Sequence, residues 1–284
     1  MTAVLQALAS GITLGLIYAG LGAGFSLVVA TGRLFNLAHG EFVLVGGYIL
    51  YLLTQSLGWP WLPALAASAL GGALLGASLP LLVRRLPDRE TGGLALTLGI
   101  AFLLQNLLLL GVTANYRILP GGYWFETVRL GSVGLSRAAL VGGALAAAAL
   151  MALDLWLRHT WTGMGLRAAS QSRSAAASLG IGPRRMEWIA FMLGGAMAAG
   201  AGGLVLLTRF LTPGEGPSLT LVALAVALLA RRPQVGALLT AGIALGLIES
   251  LATVLLGGGW REVVASGFIL LWLMRRRQPV PAYA

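Results

Sequence analysis

The chain has 284 residues, of which 58% are hydrophobic and only 10% are charged, and its net charge is +10. A soluble globular chain is about one quarter charged, so this composition excludes a soluble domain and predicts an all-α polytopic integral membrane protein. The basic residues are scattered between apolar runs, a pattern that the positive-inside rule explains better than nucleic-acid binding does. No polar block is long enough to fold separately, and we expect a single transmembrane domain over residues 1–284.

Missing residue types exclude several chemistries. The chain contains no cysteine and no lysine, which excludes disulfides, thiol catalysis, a Schiff base and the lysine of a phosphate-binding P-loop. We therefore expect that it does not hydrolyse ATP itself. Its two histidines, His39 and His159, do not make a metal site, and no catalytic constellation with a believable spacing is present. The first charge is Arg33, so we expect the first apolar run to be kept as a span rather than cleaved.

A membrane-spanning helix needs about 20 apolar residues. Apolar runs that fit or approach this length cover residues 5–30, 42–57, 62–83, 92–112, 138–157, 188–207, 219–230, 235–256 and 263–274. The seventh and ninth runs are short, so we predict eight to nine transmembrane helices, with a broken or re-entrant helix as one interpretation of the seventh. Residues 113–136 are predicted to form a mixed loop.

The arginines predict the orientation of these spans. If the chain starts outside and crosses at every run, five of its nineteen arginines lie outside, namely Arg117, Arg129, Arg137, Arg209 and Arg261. The other fourteen, including those at 231–232 and 275–277, lie in the cytoplasm. This asymmetry predicts an outside N-terminus and a cytoplasmic C-terminus.

Pairs of glycines four residues apart predict helices that approach each other closely, because nothing but hydrogen projects from their backbones. The first run contains two such pairs and the eighth run contains one: Gly11 with Gly15, Gly20 with Gly24, and Gly242 with Gly246.

Six polar side chains lie within or between the apolar runs and are candidates for a solute path: Asn36, His39, Glu41, Gln105, Asn106 and Glu249. Lipid cannot satisfy such groups, so they must face protein or water. The first three either line the path or form a partly buried turn whose polar groups bond the backbone. The two amides either bond across helices or contact solute, and Glu249 either contacts solute or fixes two helices.

Residues 158–186 are the longest polar interruption of the chain. They carry Arg158, Arg167, Arg173, Arg184 and Arg185 and no acidic residue. We expect one amphipathic helix, capped by Thr162, ended by Gly180 and stopped by Pro183, that is too polar to span. Its residues alone fit two roles, a cytoplasmic coupling helix or an interfacial helix on anionic lipid.

Four stretches resemble the permease subunits of branched-chain amino acid ABC importers. They are residues 15–48, 97–106, 165–181 and 246–250. The run Asn36-Leu37-Ala38-His39-Gly40-Glu41 is the most specific part, and it points to the H-type rather than the M-type permease.

This resemblance implies a set of partners and a site. The chain would pair with an M-type permease or a homologous copy in the bacterial inner membrane, dock two ATP-binding subunits and receive solute from an extracytoplasmic binding protein. The implied ATPase-coupling residues are Gly165, Arg167, Ala168, Arg173, Ala176, Leu179 and Gly180.

The chain departs from the family pattern in two places. The family's coupling motif carries acids near the position of Arg173 and Ser174, where this chain has none, so its charges toward an ATPase differ. Residues 230–233 replace a glycine-rich turn. Two other functions stay open: a urea or short-amide ABC permease, and a secondary transporter that uses Glu249 and Gln105 as an ion or proton site.

Overall fold

The computed structural model describes residues 2–89, 91–113, 115–119, 126–130, 133–230 and 234–274. Its helices are α1 (Thr2–Gly32), α2 (His39–Gln55), α3 (Trp61–Val83), α4 (Thr91–Val112), α5 (Arg137–His159), α6 (Trp161–Gln171), α7 (Arg173–Ser178), α8 (Pro183–Thr208), α9 (Gly216–Ala230), α10 (Val235–Leu256) and α11 (Arg261–Met274). The predicted turn at 231–233 and the arginines at 275–277 lie outside the described residues.

Seven of the described helices are long and apolar enough to cross a membrane. The seventh predicted span reaches this length because a 3₁₀ turn at Pro213–Glu215 runs directly into α9, giving 18 residues from Pro213 to Ala230. Helix α2 has 17 residues and α11 has 14, so both are shorter than those seven. The fold is thus the all-α polytopic membrane fold that the composition predicts, and eight or nine crossings require α2 and α11 to span as well.

Helix α8 lies at the centre of the bundle and packs against α1, α2 and α3. Its small residues bring the backbones into direct contact. A Cβ atom added at Gly24 of α1 would lie 2.7 Å from the carbonyl oxygen of Gly194 in α8. Gly195 faces the backbone of Gly72 in α3 in the same way, and Gly202 faces that of Val43 in α2. Because little more than hydrogen separates these backbones, α8 cannot shift without moving its neighbours.

Helices α1 and α10 form a glycine seam. The Gly11–Gly15 pair of α1 lies against the Gly242–Gly246 pair of α10, and a Cβ added at Gly11 would lie 2.8 Å from Leu247 Cα. The prediction of close packing is therefore confirmed for both pairs, and also for Gly24.

The prediction of close packing is wrong for Gly20, because no atom of another described helix lies within 4 Å of a Cβ built there. Gly20 instead borders an apolar cavity of about 560 Å³ between α1, α3, α5 and α8. The spacing of four residues alone therefore does not show which glycine of a helix meets a neighbour.

Three connections meet at one end of the bundle. The predicted mixed loop contains an antiparallel hairpin, β1 (Thr127–Leu130) and β2 (Val133–Ser136). The side chain of Gln6, near the start of α1, bonds to this hairpin, since Gly134 N donates to Gln6 Oε1 at 2.8 Å. Arg117 pairs with Leu211 through backbone hydrogen bonds. The start of α1, the 113–136 loop and the 209–215 loop therefore lie together, as the alternating crossings predict.

Candidate functional site

The polar segment folds as two short helices rather than one. Thr160 has an extended backbone and caps α6, because its Oγ1 accepts a hydrogen bond from Gly163 N at 3.0 Å. The predicted cap Thr162 is wrong, since it lies inside the first turn of α6. Ser172 is also extended and caps α7 by accepting from Ala175 N at 3.3 Å. A serine that can cap a new helix thus breaks the expected single helix. Gly180 follows α7 at φ +78°, as its predicted role requires.

The predicted coupling residues divide into a packed set and an exposed set. Gly165 and Ala176 are buried against the protein, whereas Arg167, Leu179 and Gly180 are exposed and Ala168 and Arg173 are intermediate. The exposed side also carries large apolar groups. Trp161 is 88% exposed, Leu179 78% and Met164 41%. We call Trp161, Met164, Arg167 and Leu179 the outer face of the segment.

Three consecutive residues at the start of α8 contact three different elements at this end of the bundle. Met186 packs on α6, where a Cβ added at Gly165 would lie 3.1 Å from its sulfur. Glu187 pairs with Arg173 of α7, and Trp188 lies under the guanidinium of Arg84, which is 5.5 Å from the ring centroid at the end of α3. We call these residues the 186–188 junction.

Glu187 is the charged centre of the junction. Its side chain is only 5% exposed, and its two carboxylate oxygens accept from different arginines, Arg173 Nη2 at 2.7 Å and Arg89 Nη2. A buried carboxylate needs such partners, because removing them leaves an uncompensated charge in a medium of low dielectric. The acid that pairs with Arg173 thus comes from α8 and not from the polar segment itself.

The Asp154–Arg158 pair of α5 provides a contrast. These two residues are four apart in the sequence, and Arg158 Nε lies 2.8 Å from Asp154 Oδ2. However, the arginine side chain is 60% exposed, and both residues belong to the same helix. Such a pair contributes little and connects nothing.

The second candidate site is the connection between α1 and α2, which enters the bundle. His39, the first residue of α2, lies with Nε2 3.2 Å from the carbonyl oxygen of Leu21. Leu21 lies eleven residues before the end of α1, a depth of about 16 Å along the helix. Gly40 N donates to Thr220 Oγ1 at 2.8 Å, and Thr220 lies ten residues, about 15 Å, before the end of α9. Measured along both helices, the start of α2 therefore lies near the middle of the bundle's depth.

The three predicted residues of this connection are all buried, at 1% exposure each. Asn36 Oδ1 accepts from Ala38 N at 3.1 Å, which is the local backbone bond of the turn interpretation. A carbonyl only accepts, so His39 carries its proton on Nε2 and donates to Leu21. Glu41 packs on Gly216, and its Oε2 is buried with no hydrogen-bond partner among the described residues.

The remaining candidates lie elsewhere. Glu249 of α10 is buried and accepts from Tyr18 Oη of α1 at 2.8 Å, so it belongs to the seam. Asn106 is exposed and bonds its own helix at Phe102, and its neighbour Gln105 is partly exposed. Asn106 lies nine residues beyond Thr97, the α4 residue that bonds the 33–38 turn, so about 13 Å along α4 separates the amides from that turn.

Comparison with known proteins identifies the family of this chain. Residues 7–274 match the family described as "Branched-chain amino acid transport system / permease component". The chain belongs to this family. It is 26% identical over 288 residues to the high-affinity branched-chain amino acid transport system permease protein LivH of Salmonella typhimurium, covering 95% of this chain and 92% of the relative.

Two further relatives extend the range of organisms. The permease protein BraD of Pseudomonas aeruginosa, from a high-affinity branched-chain amino acid transport system, is 25% identical over 287 residues, covering 96% of this chain and 94% of its own. A probable branched-chain amino acid transport permease protein LivH of Methanocaldococcus jannaschii is 26% identical over 259 residues, covering 88% of this chain and 80% of its own. The chain is therefore a multi-pass membrane protein of a transport permease family, similar to these relatives over most of its length.

Neither Glu187 nor Arg89 was among the residues predicted from sequence. One signal was present: Glu187 is the only acid between Asp154 and Glu215, and it lies two residues after a pair of arginines, where an apolar run begins. An isolated acid at that boundary has few alternatives to an arginine partner. The identity of the partners was not readable, because residues 89, 173 and 187 meet only in the fold.

Proposed function

We propose that the chain is the membrane-spanning subunit of an ABC importer for branched-chain or related amino acids. Two separate ATP-binding subunits would hydrolyse ATP, a second permease, M-type or homologous, would complete the path, and an extracytoplasmic binding protein would deliver the solute. Family membership over residues 7–274 supports this proposal. The observation that carries the docking role is the outer face of the polar segment, which joins exposed apolar groups to Arg167.

The outer face has the composition of a protein contact rather than a lipid one. Trp161, Met164 and Leu179 are exposed beside Arg167, and aromatic, methionine and arginine side chains are enriched in protein interfaces. A helix that rests on anionic lipid instead presents several arginines around a broad apolar face. Here Arg173 is turned inward to Glu187, which leaves fewer charges for lipid.

The packing suggests how such a contact would move the solute path. Helices α6 and α7 are joined to α8 at the 186–188 junction, and α8 meets α1, α2 and α3 backbone to backbone. Closure of the ATPase subunits would displace the segment, and the bundle would follow as one body. The two access states of the path would then differ in how this body lies against the second permease.

We infer that the segment faces the cytoplasm, with the N-terminus outside and the C-terminus inside. Arg84, Arg89 and the polar segment meet at the junction. The hairpin and Arg117 lie with the start of α1 at the other end. This grouping agrees with the arginine asymmetry of the sequence.

We propose that the predicted polar residues have different roles in the solute path. Asn36 and His39 shape its wall through their backbone bonds. Glu41, whose Oε2 has no partner among the described residues, is the group with hydrogen-bonding capacity left for solute or water. The amides Gln105 and Asn106 face outward on α4 and would serve the path only at a contact with the second permease.

Reconstitution tests this proposal. The chain is co-expressed with candidate partner subunits, placed in proteoliposomes and supplied with binding protein. ATP-dependent leucine uptake that stops when the ATPase subunits are omitted is the expected result. Uptake that follows a proton gradient and ignores ATP would contradict it in favour of a secondary transporter. Binding-protein affinity for urea rather than leucine would move the proposal to the urea or short-amide class.

A further inference from the structure

We propose that Glu187 is a positioning residue for energy coupling, because it ties the polar segment to the transmembrane bundle. This inference rests on the proposed function, and it concerns force transmission rather than docking. Among the described residues, the ion pairs of Glu187 go to Arg89 and Arg173, which belong to neither the outer face nor the buried turn. Its effect would come from holding two arginines of other elements to α8.

Three elements converge on Glu187. Arg173 belongs to α7, Arg89 precedes α4, and Glu187 belongs to α8. One carboxylate therefore joins the docking segment, the entry to α4 and the central helix. On either side of it, Met186 packs on α6 and Trp188 lies under Arg84.

Apolar packing alone does not fix the position of α7. Of its six residues only Ala176 is buried, and Arg173 is its one residue that pairs with α8 through charge. A short helix held by so few contacts opens easily. The charge-assisted pair, shielded by the burial of Glu187, is thus the main link between α7 and the bundle.

Helix α8 can pass a displacement of the polar segment on to its neighbouring helices. Its glycines meet α1, α2 and α3 without intervening side chains. A displacement of Glu187 would therefore move the bundle rather than compress a soft layer. If the pair is removed, the segment can still bind a partner, but α7 is no longer held to α8 and its movement is not passed on.

The test compares uptake and ATP hydrolysis in the same proteoliposomes. Glu187→Gln, Arg173→Gln and Arg89→Gln are each assembled with the partner subunits and binding protein. We expect ATPase subunits to co-purify at wild-type level with Arg173→Gln and Glu187→Gln, while solute imported per ATP hydrolysed falls at least about fivefold. Arg173→Lys keeps the charge and should retain most of the coupling.

Two features of the design separate the outcomes. Asp154→Asn breaks an ion pair that lies within α5 and should leave the ratio unchanged. The double variant Glu187→Gln/Arg173→Gln should be no worse than Glu187→Gln, because both changes remove the same link.

An unchanged ratio in the three Gln variants would overturn the inference. Loss of assembly in Glu187→Gln, with normal ratios in Arg173→Gln and Arg89→Gln, would overturn it equally. If the wild-type complex itself shows no ATP-dependent uptake, the proposed function fails rather than this inference.

Discussion

The α1–α10 seam and the 186–188 junction both hold helices together, but they use opposite means. At the seam, glycines remove the side chains, and backbone meets backbone along two turns of each helix. At the junction, long side chains bridge the elements through one carboxylate, one aromatic ring and one thioether. The first arrangement makes a rigid bundle, and the second attaches the polar segment to that bundle. Their different tolerance of mutation follows from this difference.

Enlarging the seam should have the largest effect. A Cβ at Gly15 would lie 2.5 Å from Ile243 Cα, so Gly15→Ala forces the helices apart and costs about 1 to 3 kcal/mol or more. The matched control is Gly20→Ala, which meets open space in the same helix and should be neutral or mildly stabilising. Thermal unfolding in detergent measures both, and equal melting temperatures for the two variants would contradict the seam.

Reversing charge in the polar segment should separate docking from attachment. Arg167 is exposed and forms no ion pair among the described residues, so Arg167→Glu should leave stability within about 0.5 kcal/mol while weakening ATPase docking several-fold. Arg173→Glu should instead lower stability, because it places a second acid against Glu187. Co-purification and thermal unfolding distinguish the two. Wild-type docking by Arg167→Glu would remove it from the contact.

The smallest effect is expected at the polar bond of the seam. Glu249→Gln keeps an oxygen that accepts from Tyr18 Oη, so uptake and melting temperature should stay near wild type. Glu249→Leu leaves the tyrosine hydroxyl without that acceptor and should lower the melting temperature. A large loss of uptake in Glu249→Gln with normal assembly would instead place Glu249 in the solute path.

Much of the bundle was predictable because its signals are local. Apolar runs set the helix limits within a few residues, and glycine spacing predicted that α1 and α10 each approach a neighbour closely, although not that they meet each other. The break at Ser172 was not predicted, since a serine between alanines fits a helix interior as well as a cap. Nor was the depth of the 33–38 turn, because hydropathy shows that a run is short but not where in the membrane it starts.

The candidate site also has features that local sequence signals predict and features that depend on the fold. The segment's polarity and its exposed Arg167 follow from composition and pattern. The inward turn of Arg173 does not, because it depends on Glu187 arriving from the next helix. Conversely, Gly20 shows that a correct local pattern can lack a partner when the neighbouring helices leave a cavity beside it.

We propose that the polar segment and the bundle move as one body because Glu187 joins them. The chain has no cysteine, so labels at Ser178→Cys on α7 and Gly236→Cys on α10, both exposed, report one distance. In the assembled complex, spin-label measurements should give the same distance with and without ATP in the otherwise wild-type chain. In Glu187→Gln, that distance should shift or broaden when ATP binds. An equal ATP-driven shift with Glu187 intact would contradict the account.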